Sequence, residues 1–339
     1  MNKLREIFKY KSMSIIGNYK NVGKTTTLNY IIKECISENI ILGLTSIGVD
    51  GEGVDVVTNT YKPRIYVNRN TIIATASSLA LVSDITKEIL ELTNITTPLG
   101  NIVIFKALSD GYIELAGPSI NTQIKYVCER LNYYGADLSI VDGALSRKTL
   151  GSPSITESTI FCSGAVINKD INKAIEKIVY EANILNLDKV NDDKFYEVYE
   201  NIKYKKVSVV NNDYTYKSLD INTTLSSSKE ILDNIDGNTK YIVFNGIVTD
   251  DFINTMIKSG KDYKNITILV EDSTKIFLEK NVFEKFIKLK GNIRAINKVN
   301  LIGVSINPTS IEGYSFDEKY FIDTIQSKTD IKVFNVMSF

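Results

Sequence analysis

Short runs of β-branched and aliphatic residues alternate with stretches of helical apolar spacing along the whole chain. That is the pattern of an α/β fold built on a mostly parallel sheet flanked by helices. In the first half, strands are predicted at Met13–Ile16, Ile40–Thr45, Arg64–Val67, Thr71–Thr75, Ile102–Leu108, Leu138–Asp142 and Ile160–Ile167. Helices are predicted at Lys24–Ser37, Asp84–Leu92, Ile120–Tyr134 and Ile171–Ile184. The helix from Lys24 sets Leu28, Ile31, Ile32, Cys35 and Ile36 along one stripe, which needs an apolar surface to pack on.

Around residues 187–206 the chain turns charged and aromatic without apolar spacing. A domain boundary is expected there, giving a first domain of residues 1–195 and a smaller α/β domain of residues 196–339. The second half restarts the alternation. "YIVFNG" (241–246), "ITILV" (266–270), "NLIGVSIN" (300–307) and "IKVFNV" (331–336) read as strands. Helices are expected at 249–259, before Gly260, then up to about Gly291, and again after Ser315. Ser227 with Glu230, and Ser315 with Glu318, have the spacing of a capping box at a helix start. A length of 339 residues suits about two domains, each with its own core.

Between the first strand and helix the chain reads "SIIGNYKNVGKTTTLNYII" (14–32). Gly23-Lys24-Thr25 completes the phosphate-loop pattern G-x-x-x-x-G-K-[ST], but Asn18 holds the first-glycine position and Gly17 lies one residue early. A phosphate cradle needs backbone N–H groups that converge on oxygen, a lysine for the outer phosphates and a hydroxyl for Mg²⁺. It also needs a helix N-terminus behind it, where the dipole favours anions. A surface turn would need none of these. The order strand, loop, amphipathic helix favours the cradle, with Asn18 expected to turn the chain in the left-handed region that Asn tolerates. Asn18, Asn21, Val22, Gly23, Lys24, Thr25 and Thr26 are the candidate nucleotide-binding residues. Lys24 is the candidate catalytic cation, and Thr25 a candidate Mg²⁺ ligand.

Two acidic positions are candidates to complete a Mg²⁺ shell. "LSIVDG" is an apolar strand ending in Asp142, the form of a Walker B segment, although strands also end in Asp for turn reasons. "TSIGVDGEGVD" (45–55) is glycine-rich and carries Asp50, Glu52 and Asp55. Asp50 is the candidate there for Mg²⁺ or water contact, beside the γ-phosphate, with Glu52 and Asp55 left open. Arg147 and Lys148 follow Asp142 and read more readily as solvated charge than as phosphate contacts. "INKVN" (296–300) and "INKD" (167–170) both miss the guanine-reading N-K-x-D. ATP is therefore the expected nucleotide, with GTP left open.

Composition removes several classes of function. Forty basic and forty acidic residues cancel, so no global field draws nucleic acid or an anionic membrane. The absence of histidine removes Ser-His-Asp hydrolases and His-ligated zinc. Three scattered cysteines, Cys35, Cys128 and Cys162, fit a reducing cytoplasm and build no metal or disulfide framework. The first residues lack the apolar core of a secretory signal, and the longest uncharged runs fall short of the roughly 20 residues a membrane span needs. A cytoplasmic protein without membrane or nucleic-acid partners is expected, with a homodimer left open.

The order of glycine-lysine loop, acidic strand-end loop and "VDG" resembles the P-loop NTPase branch that contains dethiobiotin synthetase and the molybdopterin-guanine-dinucleotide accessory protein. That resemblance covers about residues 10–185 and implies Lys24 and Thr25 as phosphate and Mg²⁺ residues, with Asp50 and Asp142 as acidic partners. Asn18 departs from the family glycine. The phrases "LTSIGVDGEGVD", "VDGALSRKTLGSPS" and "GVSINPTSIEGYSFD" are also similar to the reactivase-type accessory proteins associated with adenosylcobalamin-dependent lysine 5,6-aminomutase. This closer likeness implies an NTPase that services a partner protein, ejecting damaged cobalamin from the aminomutase, alone or with a second reactivase subunit. Two other readings stand beside it. One is an ATP-dependent ligase or kinase whose metabolite binds near "AGPS" (116–119), and the other a nucleotide-sensing module without useful hydrolysis. Polar loops at 245–251, 271–275 and 307–315 either line a crevice in the second domain or cap its helices; capping is favoured.

Overall fold

The strand Ser12–Gly17 is buried at every residue and takes parallel partners on both sides, Leu138–Asp142 and Ser158–Gly164. Burial on both faces explains its unbroken apolar reading. The computed structural model describes residues 5–48, 54–55, 60–61, 64–143, 148–221, 223–224 and 227–336. These residues divide into two compact units, 1–182 with 300–339, and 183–299.

In the first unit a nine-stranded sheet among the described residues runs in the order Val333–Phe334, Leu301–Asn307, Ser158–Gly164, Ser12–Gly17, Leu138–Asp142, Leu42–Ser46, Ile72–Ala76, Gly100–Ala107, Lys87–Thr97. The first seven are mutually parallel, and the last two join antiparallel. Helix Lys24–Ser37 buries Thr27, Leu28, Ile31, Ile32 and Cys35, and its apolar residues share a core with Met13, Ile15 and Ile140. Ile36, expected on that stripe, is 47% exposed. Helix Asn121–Tyr133 packs Val127 and Leu131 into a second core with Ile72, Ala74 and Ile104. The fold is thus α/β, with a mixed, mostly parallel sheet flanked by helices. No helix among the described residues is long and apolar enough to cross a membrane.

Several expectations are corrected. Residues 300–339 return to the first sheet instead of completing the second domain, because Leu301–Asn307 is an interior strand buried almost throughout. The helix expected at Asp84–Leu92 is a strand, Lys87–Thr97, preceded by a short helix Ser77–Val82. Its run of Ile, Leu and Thr favours extended backbone, and the turn at Gly100, φ +98, returns the chain as its antiparallel partner. Ile160–Ile167 ends as a strand at Gly164 and continues as a 3₁₀ turn, Ala165–Ile167. At Ser227 the helix starts as expected, but the serine makes no capping bond. At the last helix the cap is Asp317, not Ser315.

The second unit holds a five-stranded sheet in the order Tyr216–Leu219, Val207–Asn211, Thr239–Phe244, Thr267–Asp272, Asn292–Asn297. Its last three strands are parallel. The stretch read as lacking apolar spacing contains a helix, Asp193–Ile202, whose buried face is Phe195, Tyr199 and Ile202. Aromatic rings supply the stripe there, with Phe195 stacked on Tyr199 and edge-on to Tyr241.

Asp192 anchors that helix. Its carboxylate accepts from the Phe195 N–H, the Tyr214 and Tyr241 hydroxyls and the Lys240 ammonium. Tyr214 sits at φ 68 in the hairpin turn, a conformation rare for a bulky residue, and these bonds hold it there. Burial raises the Asp192 pKa, but the Lys240, Tyr241 and Tyr214 hydrogen bonds outweigh it and hold the carboxyl below the ordinary range. A depressed carboxylate stabilises the fold above its unfolded pKa of about 3.9, and the contribution is lost as pH falls below that value. Asp192→Ala is expected to cost about 3 kcal/mol, the low end for stripping one partner from a largely buried pair. Asp192→Asn, which can still cap the helix, is expected to cost less. Urea unfolding of the full chain checks both, and the loss at Asp192→Ala should shrink between pH 5 and pH 3.

Candidate functional site

Gly17 is the last paired residue of the first strand, opposite Cys162. A Cβ built there would stand 2.8 Å from Val22 Cγ2 and 3.2 Å from both the Cys162 carbonyl and Lys24 Cδ. The chain therefore folds back over Gly17, and Val22, 1% exposed, fills the space a side chain would take. That is why the glycine lies one residue earlier than the pattern asks. The left-handed turns fall at Asn21, φ 59, and Gly23, φ 89. Asn18, expected to make the turn, does not; its Oδ1 accepts from the Ser163 hydroxyl at 3.1 Å.

The loop leaves main-chain donors unspent. Among the described residues the N–H groups of Asn21 to Thr26 donate to no backbone carbonyl, and the first helical bond is Thr27 N–H to Gly23 at 2.8 Å. Gly23 caps the helix with no side-chain bond. Four such groups are normal at a helix start and are met by caps, water or ligand. Here they gather with the positive end of the dipole in a tight loop.

Lys24 is half-buried and hydrogen-bonds the Tyr19 carbonyl at 3.4 Å. Burial lowers its pKa, against the pull of Cys162 and Asp142. Asp142 ends the neighbouring strand, in register with Ile15 and Ser46. Its Oδ1 is out of solvent without a hydrogen-bond partner. Burial pushes the Asp142 carboxyl up to about 6, although Lys24 and the Gly143 N–H favour its charge. Lys24 is thus hydrogen-bonded to a main-chain carbonyl and one oxygen of Asp142 has no partner, so each favours the other's charge without a direct bond.

Sequence reasoning missed the groups that hold the loop. Asn307, at the end of its strand opposite Gly164, donates from Nδ2 to the Asn21 carbonyl at 3.3 Å. Thr27 ties the helix start to the sheet through a hydrogen bond between its hydroxyl and that of Ser305 at 2.8 Å, and the Cys162 thiol donates to the Thr27 hydroxyl. Nothing short-range marks these residues, which reach the loop only through strand order. On the other side, Gly117 lies so close to the Ser46 carbonyl that a Cβ would overlap it, and the Gly48 N–H donates to Pro118 at 3.0 Å. Thus "AGPS" packs on the start of the acidic loop. Asp50, Glu52 and Arg147, and the side chains of Asp55 and Lys148, lie outside the described residues.

No cluster of three or more His, Cys, Asp or Glu among the described residues could hold a metal alone. A cation carried by a nucleotide needs less, since Mg²⁺ keeps waters and phosphate oxygens and takes one or two protein ligands. The orphaned Asp142 oxygen and the Thr25 side chain at the first turn of the helix fit that demand. No protein-family model, curated protein or solved structure matches this chain.

A raised carboxyl pKa costs stability as pH climbs through about 6, since the folded state then gives up a proton it holds more tightly than the unfolded chain. Asp142→Asn is therefore expected to raise the melting temperature of the ligand-free protein at pH 8, with the gain shrinking below about pH 6, roughly halved at pH 5 and gone only below the unfolded carboxyl pKa of about 3.9. Paired thermal melts at the two pH values check it.

Proposed function

We propose that the chain binds a nucleoside triphosphate with Mg²⁺ in the 18–26 loop and couples its hydrolysis to servicing a partner protein. One observation carries the reading: unspent N–H groups, a desolvated lysine and a partnerless buried carboxylate oxygen meet at the C-terminal ends of two adjacent parallel strands. Ligands gather at that edge in open α/β sheets. In this reading the amides of Asn21 to Thr26 bind phosphate oxygens, and Asn18 and Val22 shape the loop from within. Lys24 contacts the outer phosphates, where an anion restores the preference for its charged form. Thr25 and Asp142 would hold Mg²⁺, which spreads and neutralises charge on the β- and γ-oxygens. Asp50 is proposed as the group that orients water. No imidazole is needed, because phosphoryl transfer depends on positioning and charge. ATP is the nucleotide proposed, with GTP tested beside it.

The partner half of the proposal rests on the likeness to reactivase-type accessory proteins, and an adenosylcobalamin-dependent aminomutase is the partner proposed. Calorimetry with ATP, GTP and MgCl₂ tests the site. Lys24→Ala is expected to weaken binding by about ten- to a hundredfold, the value of hydrogen bonds to a charged group. Unchanged affinity removes the loop from the account. Turnover should be slow alone and rise when the aminomutase is added; a rate indifferent to it removes the partner.

A further inference from the structure

The strand Leu301–Asn307 ends two positions across the sheet from the loop strand, yet its last side chain touches the loop. Asn307 is 8% exposed and uses both ends of its amide. Nδ2 donates to the Asn21 carbonyl at 3.3 Å, and Oδ1 accepts from the Thr309 N–H at 3.0 Å. One planar group thus spans the left-handed residue of the 18–23 loop and the first turn of the 308–316 loop. Gly164 makes the approach possible, since a Cβ there would stand 2.3 Å from the Asn307 carbonyl.

The 308–316 loop is built to hold a shape. Ser310 N–H donates to Tyr314, Phe316 N–H donates to Pro308, and the Tyr314 hydroxyl donates to the Ala165 carbonyl at 2.7 Å. Gly313 turns the tip at φ +86, and Ile311 beside it is 70% exposed. A displacement of the Asn21 carbonyl therefore has a direct route to this loop. Asn21 lies exposed in the left-handed region that Asn tolerates, and an anion held by the neighbouring amides would restrain its peptide, a restraint that its carbonyl passes to Asn307.

We propose that Asn307 is a positioning residue that couples the 18–23 loop to the 308–316 loop, so that nucleotide occupancy sets the order of the Ile311 tip. The coupling rests on the nucleotide reading above. It is reciprocal, as linkage requires: ordering the 308–316 loop from outside tightens nucleotide binding.

Asn307→Ser isolates the bridge. A serine hydroxyl can still accept from the Thr309 N–H but is too short to reach Asn21, and it adds no charge near the phosphates. Tyr314→Phe, far gentler to the fold, loosens the other end of the loop by removing one hydrogen bond. Hydrogen exchange of the full chain is measured with and without ATP and MgCl₂, beside calorimetric affinity for the same nucleotide. In the wild type, nucleotide should slow exchange in both 18–26 and 308–316. In Asn307→Ser, affinity should fall about five- to tenfold, the worth of one hydrogen bond, and protection should persist at 18–26 but disappear at 308–316. Tyr314→Phe should weaken the 308–316 protection while leaving that at 18–26. If both variants keep wild-type protection at 308–316, or if nucleotide never protects that loop in the wild type, the coupling is wrong while the nucleotide site stands. If the wild type binds neither ATP nor GTP, both fall together.

Discussion

The first N–H groups of a helix have no acceptor within it and are met by side chains, water or ligand. The stretch from Asn21 to Thr26 holds such groups. Its amides meet no carbonyl among the described residues, its helix carries no side-chain cap, and two of its residues sit in the left-handed region. The surrounding contacts determine where the donors point. Val22 packs over Gly17, Ser163 holds Asn18, Asn307 holds the Asn21 carbonyl, and Thr27 is tied to Ser305. If the loop takes an anion as proposed, donors oriented in advance by these contacts would lose less on binding.

Charge follows the same logic. Lys24 and Asp142 each lie where burial opposes ionisation, and each favours the other's charge without bonding to it. A structural ion pair would close up; this one keeps its distance and leaves an Asp142 oxygen without a partner. Contrast Asp192 in the second unit, where four donors converge on one carboxylate and every group is answered. The two aspartates respond oppositely to their surroundings: hydrogen-bond partners drive the Asp192 pKa down, whereas burial drives that of Asp142 up despite Lys24 and the Gly143 N–H.

The sequence made the loop legible because its signals are local. A strand, a Gly-Lys-Thr and an amphipathic helix lie within 26 residues of each other, and "LSIVDG" announces its own aspartate. Element type was legible wherever the period was long and aliphatic, as in Lys24–Ser37. It failed at Lys87–Thr97, where charged residues interleave with Ile and Leu at a spacing that also suits a helix, and only the antiparallel partner Gly100–Ala107 decides the matter. It failed again at Asp193–Ile202, because Phe195 and Tyr199 form the buried stripe and tyrosine reads as half polar. The motif places the turn at Asn18 because it numbers glycines, whereas the backbone responds to the contact between Val22 and Gly17 and turns at Asn21. Asn307 was beyond reach, being 286 residues from Asn21.

That separation has a structural origin. Residues 183–299 form their own unit, set into the chain between Ser158–Gly164 and the strand that pairs with it, Leu301–Asn307. The first sheet therefore stays incomplete until the inserted unit has been traversed, and the side chain that steadies the 18–23 loop arrives only after it. A boundary drawn at 195 on composition alone divides the sheet through the very pairing that brings Asn307 to the loop. Insertion costs little in loop-closure entropy, which grows only slowly with length, provided the inserted ends lie close together. The parallel register of Gly164 with Asn307 fixes the position of the returning strand. Its side chain can serve the loop because glycine at 164 lets the two backbones meet, so one missing methyl group determines whether a residue beyond the inserted unit reaches the candidate site.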